Sequence, residues 1–126
     1  MLTAVQQLTY TIILCEDLAR MKAFYQDLFT FPLETESDTS VSFRAGSVLL
    51  GLRLRTRDYD GRGVNAPSPG LQLAFRVSPA EVDQCYQQLL AKGVKILDPP
   101  TDQPRGHRTV YFSDPEGNLL EVYAEI

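Results

Sequence analysis

The residue of this sequence best placed to do chemistry is an acid inside an apolar run. Glu121 lies between Leu119 and Tyr123 at alternate positions of a segment rich in β-branched and aromatic residues. Alternate positions of a strand share one face, so Glu121 has apolar neighbours on its own face. A carboxylate is costly there unless a partner meets it. We therefore expect Glu121 to mark the functional site, either by contacting a ligand or by pairing with Arg53 or Arg76.

A second candidate for catalysis is His107, the single histidine of the chain. The unperturbed pKa of histidine suits proton transfer, so His107 could serve as a catalytic acid or base, or it could be a solvated strand end. Cys15 and Cys85 have neither metal-type spacing nor a histidine nearby in sequence. We expect both to be small reduced core residues, with a structural disulfide between them left open.

The elements that carry these residues follow from hydrophobic periodicity. Alternating runs predict strands, and apolar residues at spacings of three and four predict amphipathic helices. Ser78-Pro79-Ala80-Glu81 is typical of a helix start with a capping box, and Asp114-Pro115-Glu116-Gly117-Asn118 is typical of a turn. In chain order we predict strand 8–14, helix 18–29, strands 33–37, 41–45 and 48–55, a loop over 56–69, strand 71–77, helix 79–92, strand 94–97, a proline-rich loop over 98–106 and a hairpin over 107–126.

Each half of the chain is thus a βαβββ unit. One such unit buries only one face of its sheet, so two units must pair, within the chain or between chains. We predict an α+β fold in which two paired βαβββ modules form curved mixed sheets around a concave cleft, with the helices on the outer face. The predicted single domain covers residues 1–126, with module one at 6–57, a linker at 58–69 and module two at 70–126.

Composition limits the classes of partner. The chain has 126 residues, 44% of them hydrophobic and 22% charged, which is the mixture of an ordinary globular domain. A net charge of −4 argues against a nucleic-acid surface, which would need a basic stripe. No apolar stretch approaches the roughly 20 residues that span a bilayer, and no signal sequence is evident. We expect a cytoplasmic protein with no nucleic-acid or membrane partner.

Whole-chain features carry a family resemblance. The paired modules, the helix start Asp17-Leu18 followed by Ala23-Phe24-Tyr25, and the ending Gly106-His107-Arg108-Thr109-Val110-Tyr111-Phe112 with Asp114-Pro115-Glu116-Gly117-Asn118-Leu119-Leu120-Glu121 resemble the vicinal oxygen chelate superfamily. That superfamily contains glyoxalase I, bleomycin-resistance proteins, fosfomycin-resistance enzymes, methylmalonyl-CoA epimerase and extradiol dioxygenases. The resemblance implies the fold more firmly than the chemistry.

In metal-dependent members, four strand positions hold one divalent ion. Matched by motif, these positions are Tyr10, Gly51, Gln72 and Glu121. The resemblance implies that Glu121 is a strong metal ligand and Gln72 a weak one, whereas Gly51 has no side chain and Tyr10 is a poor ligand at neutral pH. We therefore expect the usual metal site to be absent and the protein to use no cofactor.

The matched positions also set which strand residues face the cleft. Alternation from them predicts a mostly apolar and aromatic surface, the usual composition of a small-molecule site. The predicted ligand-binding residues are Tyr10, Ile12, Leu49, Gly51, Arg53, Gln72, Ala74, Arg76, Glu121 and Tyr123.

Three functions are compatible with this site. The leading hypothesis is a homodimer of the bleomycin-resistance type that binds a small apolar or aromatic molecule without metal chemistry. The alternative is a metal-dependent lyase, isomerase or dioxygenase that uses Glu121 with Gln72, and His107 as a further candidate. The third is a scaffold subunit whose cleft is filled by its own side chains. The sequence leaves open whether the protein is an enzyme.

Overall fold

The computed structural model describes residue 1, residues 3–57, residue 60 and residues 71–126. The chain divides into two compact units, Met1–Val64 and Asn65–Ile126, which we call module one and module two. The predicted linker at 58–69 lies outside the described residues, apart from Asp60. The narrower module boundaries predicted from the sequence stay predictions.

Module one has the order βαβββ that the periodicity predicts. Its elements are β1 (Tyr10–Cys15), α1 (Leu18–Leu28), β2 (Leu33–Glu36), β3 (Ser40–Ala45) and β4 (Val48–Leu54). Asp17 caps α1, because its carboxylate accepts a hydrogen bond from the backbone N–H of Arg20 at 3.0 Å. The sheet order is β1-β4-β3-β2, with β1 parallel to β4 and the other pairs antiparallel.

One face of this sheet carries the core of module one. The buried side chains of Ile13 and Leu52 belong to this face, and α1 contributes Met21 and Tyr25. Phe43 pairs with Leu50 across β3 and β4 and is also buried. Phe43 is therefore a core residue of module one.

Module two repeats the same order. Its elements are β5 (Gln72–Arg76), α2 (Pro79–Ala91), β6 (Ile96–Gln103), β7 (His107–Ser113) and β8 (Leu119–Glu125). The predicted capping box is present, since the backbone N–H of Ser78 donates to Glu81 Oε1 at 2.9 Å. The sheet order is β5-β8-β7-β6, with β5 parallel to β8.

Strand β6 corrects the sequence analysis. The prediction of a short strand followed by a loop over 98–106 is wrong, because β6 continues through Pro99 and Pro100 to Gln103. Proline lacks the N–H that an interior strand needs, but β6 is the edge strand of its sheet. Its pairing with β7 shifts register on both sides of Asp98, which accommodates the prolines.

The two faces of the second sheet are distinguished by a contact with the helix. Arg108 on β7 pairs with Asp83 on α2 at 2.9 Å, so residues that alternate with Arg108 face the helix. The buried core therefore lies on this side and includes Val110, Phe112, Leu120, Val122 and Ala124. We call the opposite side the open face of module two.

Two four-stranded mixed sheets, each with one helix, confirm the predicted α+β class. Neither α1 nor α2, the helices within the described residues, has the length and apolar composition that a bilayer crossing requires. Both cysteines are reduced, as expected, with no disulfide between them. Cys15 is buried and Cys85 is half-buried, and burial raises the pKa of the Cys85 thiol.

Candidate functional site

Strand pairing assembles one set of predicted site residues on the open face of module two. Glu121 on β8 lies between Ala74 on β5 and Tyr111 on β7 in the register of the sheet. Opposed residues of neighbouring strands share a face. The predicted residues brought together in this way are Gln72, Ala74, Arg76, Glu121 and Tyr123. Their role as ligand contacts stays a prediction.

Glu121 is the centre of this face and is nearly buried, with 6% of its surface exposed. Gln72 Nε2 donates a hydrogen bond to Glu121 Oε1 at 3.0 Å. Arg105 Nη2 lies 3.9 Å from Glu121 Oε2, the outer limit of an ion pair. Among the described residues, each carboxylate oxygen of Glu121 therefore has one polar partner, Gln72 for Oε1 and Arg105 for Oε2.

Arg53 and Arg76, the partners proposed for Glu121, are paired elsewhere. Arg76 binds Glu125 at 3.0 Å on an exposed part of the same strand pair. Arg53 binds Asp60 within module one. Within module two, the alternative of an ion pair between Glu121 and Arg76 is therefore wrong, whereas a pair with Arg53, which belongs to module one, stays a prediction.

Arg105 was missed as a candidate site residue, and Tyr111 was a possible wall residue that strand alternation did not place. Arg105 lies in the tight turn between β6 and β7, where Gly106 has a positive φ of 89°. Its Nη2 donates to Tyr111 Oη at 2.9 Å. Counting outward from the Asp114–Asn118 turn would have placed Tyr111 opposite Glu121. Arg105 carried no comparable signal, because its segment was assigned to a loop.

His107 begins β7 on the open face, opposite Glu125. Its ring centroid lies 5.0 Å from that of Tyr123, and the ring planes are inclined by 32°. The two rings form an aromatic pair on the face that carries Glu121. This contact supports a packing role and leaves proton transfer by His107 a prediction.

The other predicted residues share the open face of module one, defined as the sheet side opposite its core. Tyr10 and Ile12 are exposed by 39% and 48%. A Cβ atom at Gly51 would lie 2.6 Å from Tyr10 Cε1, so the Tyr10 ring lies against the bare backbone of Gly51. Leu49 and Arg53 complete this set on β4. Their role as ligand contacts also stays a prediction.

Arg53 is held by a bidentate pair with Asp60. Both guanidinium-to-carboxylate distances are 2.9 Å, and Asp60 Oδ2 also accepts from the backbone N–H groups of Thr56 and Arg57. These donors, the Arg53 guanidinium first among them, hold the pKa of Asp60 well below its usual range. Arg53 therefore orders the end of β4.

We expect the substitution Asp60→Asn to destabilise module one in a pH-dependent way. Because the folded-state pKa of Asp60 is depressed, its carboxylate contributes stability above the ordinary aspartate pKa of about 4, and that contribution is lost as the pH falls toward the folded-state value. Urea unfolding of the wild type and Asp60→Asn should show a difference in the free energy of unfolding that is largest near neutral pH and decreases below about pH 4. The control is Glu34→Gln, which removes an exposed pair with Arg44. A gap for Asp60→Asn that does not change with pH would contradict this assignment.

Comparison with known proteins identifies the relatives of the chain. The sequence model of the Glyoxalase/Bleomycin resistance protein/Dioxygenase superfamily matches residues 7–122. A metallothiol transferase FosB of Staphylococcus saprophyticus is 26% identical over 123 residues, which cover 98% of this chain and 78% of that protein.

Solved structures agree with this match. A glyoxalase/bleomycin resistance protein/dioxygenase from Nocardioides superimposes with a TM-score of 0.80 at 26% identity, covering 97% of this chain and 85% of that one. The fosfomycin resistance protein FosX from Listeria monocytogenes has a TM-score of 0.78 at 21% identity, covering 97% and 95%. At that identity the likeness to FosX shows the fold alone.

These relatives correct one expectation. We expected a protein without a cofactor, because only Glu121 and Gln72 remained as ligands at the matched positions. Several relatives that match nearly the whole chain are named metallothiol transferases, so the expectation of no cofactor is wrong.

The donor set of the chain itself limits which metal could fit. Within the part of the chain that the structure describes, no three His, Cys, Asp or Glu side chains are grouped for a metal ion. Glu121 and Gln72 offer oxygen donors only, which suit a hard cation such as Mg²⁺ or Mn²⁺ that keeps water ligands. They are too few for the usual zinc site.

The matched region, the two mixed sheets and the clustered strand residues agree on one assignment. The chain belongs to the Glyoxalase/Bleomycin resistance protein/Dioxygenase superfamily.

Proposed function

We propose that the open face of module two is a small-molecule site centred on Glu121. Glu121 and Gln72 bind the polar part of the ligand together with a hard divalent cation. Tyr111 and Tyr123 contact an apolar or aromatic part. The observation that carries the proposal is the nearly buried carboxylate of Glu121, which lies mid-strand on a face that the helix leaves uncovered.

The carboxylate of Glu121 has unused binding capacity. An ionised carboxylate has about four acceptor positions. Among the described residues, Glu121 accepts one hydrogen bond, from Gln72, and has one long ion pair, with Arg105. A buried carboxylate with so few partners is costly unless a ligand donor or a cation completes its environment. This supports binding at Glu121 more than a purely structural role.

The residues that would hold the cation are Glu121 and Gln72. Gln72 needs its carboxamide turned so that the oxygen, rather than Nε2, faces the ion. A bound divalent cation would supply positive charge that polarises a ligand oxygen. The names of the metallothiol transferase relatives support a metal in this lineage, and the all-oxygen donor set supports its hard character.

Tyr123 and Tyr111 give the ligand an aromatic surface beside this polar centre. Tyr123 lies two residues after Glu121 on β8, and Tyr111 is the register partner of Glu121 on β7. The Tyr123 ring also packs against the His107 ring. Small-molecule sites commonly combine such apolar walls with a few fixed polar groups. The metal-dependent lyase, isomerase or dioxygenase alternative is not favoured, because several relatives that match nearly the whole chain are named metallothiol transferases. A homodimer stays a prediction, to be checked by mass in solution.

The proposal is tested first with Mn²⁺, whose free form is measured by electron paramagnetic resonance. We expect Glu121→Gln to weaken Mn²⁺ binding at least about tenfold, since even outer partners of metal ligands cost that much when removed. The control is Glu125→Gln, which removes an exposed glutamate from the same strand and face.

A binding screen tests the ligand. Aromatic and amphiphilic compounds are titrated calorimetrically into the wild-type protein with Mn²⁺ present. Equal Mn²⁺ affinity in the wild type and in Glu121→Gln would remove the cation from the proposal. A screen in which no compound binds would overturn the small-molecule site.

A further inference from the structure

Glu121 already has a cation beside it, supplied by the chain. We propose that Arg105 is an internal counter-cation that competes with a divalent cation for the carboxylate of Glu121, and so sets the cation affinity of the site. This inference rests on the proposed function, because it concerns the same carboxylate. It adds a residue that lies at none of the positions matched to the superfamily.

The Arg105 guanidinium lies where it would repel a divalent cation bound to Glu121. Gln72 occupies Oε1 of Glu121, and Arg105 Nη2 lies 3.9 Å from Oε2. A hard divalent cation binds carboxylate oxygens at about 2.0 to 2.6 Å. An ion at that distance would be within a few ångströms of the guanidinium, and like charges that close repel each other, less strongly for a half-exposed side chain than for a buried one.

The contact between Arg105 and Glu121 is loose enough to be displaced. Three other ion pairs among the described residues of module two have nitrogen-to-oxygen distances of 2.8 to 3.0 Å. The Arg105 side chain is 52% exposed, whereas that of Glu121 is 8% exposed. A half-exposed, long ion pair contributes little stability, so a divalent cation can take its place.

Tyr111 keeps the competing charge nearby. Arg105 Nη2 donates to Tyr111 Oη at 2.9 Å, and Tyr111 is the register partner of Glu121. Arg105 also leaves the backbone at the turn that ends β6, which limits how far its guanidinium can move. The positive charge therefore opposes a cation at Glu121 even after the ion pair opens.

The test compares Mn²⁺ affinity in four proteins. We expect Arg105→Gln to bind Mn²⁺ about three- to tenfold more tightly than the wild type, because the repelling charge is gone. Arg105→Lys keeps the charge and should retain nearly the wild-type affinity, which a purely structural role for the guanidinium would not restore. Arg20→Gln is the control, since it removes the same net charge from an exposed position on α1 of module one.

Each result of this comparison either supports or overturns the role proposed for Arg105. Tighter binding confined to Arg105→Gln supports the proposal, as does binding by Arg105→Gln when the wild type binds none. Equal affinities in the wild type and Arg105→Gln overturn it and leave the proposed cation site intact. An equal gain in Arg20→Gln overturns it as a general charge effect. No binding in any of the four proteins overturns this proposal together with the cation part of the proposed function.

Discussion

Replacing Phe112 by alanine is expected to lower the free energy of unfolding by about 3 to 5 kcal/mol, as buried phenylalanines do when truncated. Phe112 is 1% exposed and lies on β7, an interior strand of the second sheet. It is the register partner of Ile96 on β6 and of Leu120 on β8. Its removal therefore leaves a cavity that neighbours on two strands border.

The measurement is urea unfolding of the wild type and Phe112→Ala, followed by circular dichroism. Leu97→Ala is the matched control, because Leu97 is an apolar residue of the same sheet with 49% of its surface exposed. We expect the control to lose less than about 1 kcal/mol. Similar losses in the two variants would show that the face beneath α2 is not the core of module two.

A loss of this size matters for the site as well. Tyr111 and Phe112 are consecutive on β7, and they point to opposite faces of the sheet. The packing of Phe112 against the helix side therefore fixes the strand that presents Tyr111 beside Glu121. We expect Phe112→Ala, which loosens this packing, also to loosen the position of Tyr111, whose hydroxyl accepts the hydrogen bond from Arg105.

The sequence predicted the fold where local chemistry was decisive. The capping box at Ser78 and the turn after Asp114 are each set by residues a few positions apart, and both are present. Such local features need no knowledge of how distant segments meet. The placement of Gln72 and Glu121 on one face was instead implied by the family resemblance, and the register of β5 and β8 agrees with it.

Prediction failed where tertiary position overrode local preference. Pro99 and Pro100 argue for a loop in isolation, yet an edge strand tolerates them. In the turn that follows β6, Arg105 places its Nη2 3.9 Å from Glu121 Oε2. No periodic pattern marks a residue that reaches a site from a turn.

The partners of Glu121 show the same limit. Arg53 and Arg76 lie on strands and were visible as candidates, but Arg53 binds Asp60 and Arg76 binds Glu125. The prediction of no cofactor was wrong for a related reason. Only Glu121 and Gln72 counted as ligands at the matched positions and were judged too few for a metal, whereas carboxylate and carboxamide oxygens also suit a hard ion that keeps water ligands.

The last prediction concerns the turn that sets the register of β7 and β8. Asp114 is 4% exposed, and its Oδ1 accepts from the backbone N–H groups of Glu116 and Asn118 at 2.9 and 3.0 Å. Its Oδ2 accepts from Asn118 Nδ2 at 2.8 Å. Gly117 supplies the positive φ of 84° that closes the turn.

We expect Asp114→Ala to lower the free energy of unfolding by about 2 to 4 kcal/mol, because Asn118 is left with buried, unpaired donors. Asp114→Asn keeps one acceptor oxygen, so its free energy of unfolding in urea should lie between those of the wild type and Asp114→Ala. If Asp114→Asn is as unstable as Asp114→Ala, the charge of Asp114 matters more than its two-oxygen geometry.

The turn also places Tyr111 opposite Glu121, since pairing is counted outward from it. Hydrogen exchange at β7 and β8 should therefore accelerate in Asp114→Ala even where the protein remains folded, and unchanged exchange there would show that the strands hold their register without the turn.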